Sequence, residues 1–160
     1  MTSVPFFLTF FVLAVSFATW RGAGPERVTA GAYVIALAAT LYVGAPGNFE
    51  VVPVALLLVD IALLMGLSLI AVRANRWWII PAAGSQLVAV LVHASKLIEP
   101  AMIPNSYVFL TDIWSWPMVA LLCLGTWAHQ RRIDQEVIVP DWKPSSAPHP
   151  SPTRRVPQPD

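Results

Sequence analysis

The chain has 160 residues, 56% of them hydrophobic and 12% charged, with a mean hydropathy of +0.63. Soluble domains carry about 25% charged residues, so this composition argues against a fold that faces water on all sides. A net charge of +1 gives no reason to expect a nucleic-acid partner, and the one cysteine, Cys123, rules out an internal disulfide or a multi-cysteine metal site.

Five apolar stretches follow in chain order. The first spans residues 3–20; no Lys or Arg precedes it and no A-x-A-like site follows, so it reads as a membrane span rather than a signal peptide. The others cover about 28–46, 51–72, 77–98 and 107–129. Helices of about 20 residues cross the hydrocarbon core with every backbone group satisfied internally. The expectation is an all-α integral membrane bundle of five transmembrane helices over residues 1–132. Short connections make sequence neighbours antiparallel neighbours in space.

Charge sets the orientation. Arg21 and Arg27 lie in the first gap, Arg73 and Arg76 in the third, and Arg131, Arg132, Lys143, Arg154 and Arg155 after the last span, leaving only Lys96 elsewhere. The second and fourth gaps hold Glu50 and Glu99. Basic residues stay on the cytoplasmic side, which predicts an outside N-terminus and a cytoplasmic C-terminus. Trp20, Trp77, Trp78 and Trp127 fall at the same boundary, where an indole keeps its ring in the acyl region and its N–H wet.

The second span repeats small residues every four positions (Ala32, Ala36, Thr40, Gly44), a ridge on which another helix or a second copy can pack closely. The third contains Asp60, nine residues in and roughly 13 Å from the outer boundary at 1.5 Å per residue. A charge at that depth costs about 2.5–3.5 kcal/mol on insertion scales, so it needs a partner or a task. The fourth span places Gln86 and His93 on one face, with Lys96 three residues further. The fifth carries Asp112, with Ser115 one turn later, and Pro117 mid-helix, where a kink is expected. Antiparallel spans bring Asp60, Gln86, His93, Asp112 and Ser115 together in the outer half, with Lys96, Glu99 and Tyr107 at the mouth of the cluster.

Residues 133–160 form a cytoplasmic Pro-rich tail, with seven of the chain's fifteen prolines from Pro140 onward. Such a segment buries too little surface to offset its ordering entropy, so it is expected to be disordered. No cofactor is expected. His93 and His129 sit at opposite ends of the membrane and cannot share a haem. A zinc site from His93, Asp60 and Asp112 is disfavoured by their different depths, and no H-E-x-x-H, G-x-S-x-G, C-x-x-C or Walker loop occurs.

From Val51 to Arg132 the chain resembles small multi-span proteins of the bacterial inner membrane. The residues that carry the resemblance are the Asp60 span, Arg76-Trp77-Trp78, the Gln86/His93 helix, Trp114-Ser115-Trp116-Pro117 and Gly125-Thr126 before a basic tail. It implies a bacterial inner-membrane location and no particular activity. Two functional readings follow. The first is an accessory or structural subunit without catalytic activity, partnering another membrane protein. The alternative is a small transporter, proton relay or ligand-binding protein that uses the outer-half Asp/His cluster. A membrane-embedded enzyme acting on a lipid or quinone is the weakest.

Overall fold

A computed structural model describes residues 3–43, 52–98, 104–136 and 140–143. Five helices occupy them: α1 (Ser3–Arg21), α2 (Gly24–Val43), α3 (Val52–Arg73), α4 (Ile79–Ile98) and α5 (Pro104–Asp134). The described residues contain no strand beyond a single antiparallel bridge between Ala74 and Trp142. The helices pack as a ring in chain order, α5 closing back onto α1, and α2 also touches α5 across the middle.

Helix boundaries follow local chemistry. α2 starts four residues before the predicted span, because Pro25 sits in its first turn, where its missing N–H costs nothing, and Glu26 complements the helix dipole. Gly22 lets α1 turn into α2: a β-carbon there would lie 2.3 Å from the Ala18 carbonyl oxygen and 2.7 Å from Glu26 Cβ. α5 is 31 residues long and runs as continuous helix through Pro117 to Asp134, five residues past the predicted end of its span.

Hydroxyl groups on these helices bond back to their own turns. Thr9 Oγ1 donates to the Pro5 carbonyl, Thr19 to Val15, Thr29 to Pro25, Ser95 to Leu91 and Thr126 to Leu122, at 2.8–2.9 Å. Polar side chains on apolar helices are thereby satisfied without water.

The buried core runs through Ala14, Ala18, Ala30, Leu67, Trp78, Ile79, Ala82, Val119 and Leu122. Small residues on α1 and α2 let their backbones approach. The outward surface is apolar, with Phe6, Leu13, Ile35, Leu41, Leu58, Met65, Val72 and Ile80 all more than half exposed. Among the described residues two helices are long and apolar enough to cross a membrane, Val4–Arg21 and Val54–Arg73, with mean hydropathies of 1.6 and 2.6; Ile79–Ser95 is a shorter apolar run. The fold is all-α, and five membrane spans go beyond what these two helices establish. Glu26 and Arg27 in the first turn of α2 shorten its apolar run.

The α1–α2 turn, the α3–α4 turn and the C-terminal part of α5 meet at one end, here termed the basic end. Gln130 on α5 donates to the Arg21 carbonyl. Arg21 covers the Trp20 ring at 5.0 Å and Arg131 covers Trp127 at 4.2 Å. Residues 140–143, in the segment expected to be disordered, dock there. The Asn75 N–H donates to the Asp141 carbonyl (3.0 Å), the Lys143 N–H donates to the Arg73 carbonyl (2.8 Å), and Trp142 covers Gly24. The tail beyond Lys143 lies outside the described residues.

Candidate functional site

All five helices line one partly open cavity of about 290 Å³. α1 contributes Phe7 and Phe11, α2 contributes Tyr33, Ala36, Leu37 and Thr40, α3 Leu56, Asp60 and Leu63, α4 Gln86, Ala89 and His93, and α5 Ser115, Met118 and Val119. Asp60 is thirteen residues from Arg73, about 20 Å along the helix axis, so the cavity sits well away from the basic end.

The polar wall is built by α3 and α4. Asp60 Oδ2 is 3.0 Å from His93 Nε2, and Gln86 Nε2 donates to Asp60 Oδ1 at 2.9 Å and to the Asp60 carbonyl at 3.2 Å. Gln86 and His93 lie seven residues apart on one helix face, so a single helix presents both to the same carboxylate. Gln86 and His93 are buried, while Asp60 keeps partial access to the cavity. Each carboxylate oxygen retains a lone pair after one hydrogen bond. The Asp60–His93 pair can hold one proton between them, giving a neutral unit, or release it and present a single negative charge.

The apolar wall is aromatic on the α1 side. Trp116 stacks on Phe10 (5.9 Å, 16°) and meets Phe7 edge-on (5.4 Å, 69°), which holds Phe7 against the cavity. Tyr33 Oη donates to the Met118 carbonyl at 3.5 Å, one residue after Pro117. Ala36 and Thr40, two members of the small-residue ridge on α2, border this space and leave it open. Gly44 lies outside the described residues.

Of the residues expected in the cluster, the structure brings Asp60, Gln86 and His93 into contact and puts Ser115 on the same cavity. The side chains of Asp112, Lys96 and Tyr107, and all of Glu99, lie outside the described residues. Among the described residues no group of three or more His, Cys, Asp or Glu side chains is arranged to hold a metal ion.

A second polar centre, which the sequence reading missed, closes the basic end. Arg76 and Glu26 are both buried, with Arg76 Nε 3.1 Å from Glu26 Oε1. The Trp78 indole N–H donates to the same oxygen at 3.3 Å. Arg76 Nη2 pairs with Asp141 of the docked segment and lies 3.4 Å from His129 Nδ1. The sequence pattern places Arg76 among the charges of the third gap and Trp78 among the boundary indoles. Both are instead core residues, because a carboxylate sequestered between helices needs a cation and a donor. Trp20, Trp77 and Trp127 are exposed. The available signal was Gly24-Pro25-Glu26, a helix start that carries its acid into the bundle.

The chain matches no protein-family profile, no curated protein and no solved structure.

Proposed function

We propose that this chain is a five-span integral protein of the bacterial inner membrane, with its basic end and tail in the cytoplasm, and that it binds a small ligand in the cavity walled by Asp60, Gln86 and His93. The inverted distribution of polarity supports the membrane reading: large aliphatic and aromatic side chains face outward along every helix, while Gln86, His93, Glu26 and Arg76 face inward. Lipid accepts that arrangement and water does not. The clustering of arginines at one end supports the orientation.

One observation favours ligand binding over the accessory or structural role. Polar residues that only lock helix register pack against one another without voids, since interiors approach crystal density. Here the Asp60–His93–Gln86 cluster faces open space, and that space is about twice the ~150 Å³ of an engineered apolar cavity that accepts benzene.

Filling the cavity tests the reading. Ala36 borders it from α2, and Ala36→Phe places a ring inside. The neutral probe neopentylbenzene is expected to raise the unfolding temperature of the wild type in detergent and to leave Ala36→Phe unmoved, with helix content equal in both. Stabilisation at 100 times Kd is about 2.7 kcal/mol. No stabilisation of the wild type, or equal stabilisation of both, overturns it.

A further inference from the structure

The chemistry of the cavity wall narrows the class of ligand. We infer that the site takes a lipophilic monocation of roughly a dozen heavy atoms, an aryl- or alkylammonium, and that its binding expels the proton shared by Asp60 and His93. This deepens the ligand-binding reading above and rests on it.

Three observations converge. First, size: a cavity of about 290 Å³ holds about twice what benzene requires. Second, charge: the described lining contains one carboxylate, Asp60, and no Lys or Arg. Its hydrogen-bond partners, Gln86 and His93, leave lone pairs on both oxygens and add no permanent positive charge. Third, the opposite wall presents the Phe7, Phe11 and Tyr33 rings. Aromatic rings sharing a pocket with a carboxylate are the recognition chemistry of ammonium groups. An anion would meet Asp60 with no compensating cation among the described lining residues. A neutral apolar molecule would leave the polar wall unused.

The proton follows from charge balance. Among the described residues, the titratable groups facing Asp60 are His93 on α4 and Tyr33 on α2; α1 presents only Phe7 and Phe11, and α5 presents Ser115 and apolar side chains. One proton on the Asp60–His93 pair makes the described lining neutral, the state a low-dielectric interior favours. An incoming monocation restores neutrality only if that proton leaves. Cation and proton therefore compete for one carboxylate, the exchange that a cation/proton antiporter requires.

The test uses the full-length protein in detergent or nanodiscs with two probes of equal size and shape, benzyltrimethylammonium and its neutral carbon isostere neopentylbenzene. The quaternary cation does not titrate, so any pH dependence belongs to the protein. Expected are at least tenfold tighter binding of the cation, with Kd falling up to tenfold per pH unit, and release of up to one proton per cation, read by calorimetry in buffers of different ionisation enthalpy. Asp60→Asn is expected to abolish the cation preference and proton release, with helical circular dichroism reporting an intact fold. His93→Gln should retain cation binding and shift, without abolishing, its pH dependence, because Asp60 still exchanges a proton for the cation. Neopentylbenzene binding as tightly as the cation at every pH, with no proton released, overturns the cation inference and leaves the ligand site standing. Failure of both probes to bind the wild type overturns both.

Discussion

Removing Arg76 is expected to destabilise the bundle far more than removing its partner Glu26. Arg76→Met strands Glu26, whose side chain is fully buried 3.1 Å from the guanidinium, and leaves it with only the Trp78 N–H. Breaking a buried pair in this way costs about 3–5 kcal/mol, because the remaining charge is uncompensated. The lost contact to Asp141, whose side chain is about a third exposed, adds at most about 1 kcal/mol. Glu26→Gln behaves differently: the amide oxygen still accepts from Trp78, and Arg76 still has Asp141, so its cost is expected to be about 1–2 kcal/mol. The double variant carries no stranded buried charge and should recover more than half of the Arg76→Met loss. Thermal unfolding in detergent, followed by helical circular dichroism, reads these differences. At about 2–4 °C per kcal/mol for a chain of this size, Arg76→Met should unfold on the order of 10 °C below the wild type. An Arg76→Met loss under 1 kcal/mol, or a double variant as unstable as the two singles added together, refutes the account of a sequestered, mutually dependent pair.

Three further outcomes follow from the geometry. Gly125→Ala would put a methyl group 2.3 Å from the buried Trp78 indole; overpacking of this kind costs about 1–3 kcal/mol, and an unchanged melting temperature would mean Trp78 is free to move. Asp141→Ala should speed hydrogen exchange at the Asn75 and Lys143 amides, which pair across the docked segment, while amides within α3 keep their protection; uniform acceleration would point to global destabilisation instead. A phosphatase fused after Arg132 should be inactive and a fluorescent protein at the same point bright, and the reverse pattern would overturn the proposed cytoplasmic tail.

The helices were legible because apolar runs of span length, broken by short charged gaps, have few other physical solutions. The Asp60–Gln86–His93 contact was legible for a related reason. Polar groups are scarce in such runs, and antiparallel geometry brings those at matching depth together. The basic end was harder to read. A charge in a short turn looks the same in sequence whether it faces solvent or folds inward, and what decides is tertiary: Gly22 and Gly125 admit close approaches that bury Glu26 and Trp78. The docking of Asp141 and Lys143 onto the α3–α4 turn left no periodic trace either, since four residues held by backbone hydrogen bonds need no particular composition.

Glu26 and Asp60 show how one functional group, the carboxylate, serves two ends of a bundle. Glu26 meets a permanent cation, a donor and close packing, so its charge is neutralised whatever the protein binds. Its second oxygen and Arg76 Nη1 find no partner among the described residues, yet the network holds α2, the α3–α4 turn and the docked segment in one register. Among the described residues Asp60 is held by the side chains of Gln86 and His93, neither of which bears a fixed charge, and it borders open volume. A carboxylate locked by arginine resists exchange, because displacing the partner costs several kcal/mol. A carboxylate held by an imidazole and an amide changes its charge by moving one proton. The first arrangement suits a fixed frame. The second suits a site whose contents change, and this contrast makes the cavity, rather than the arginine cluster, the place where ligand chemistry is to be sought.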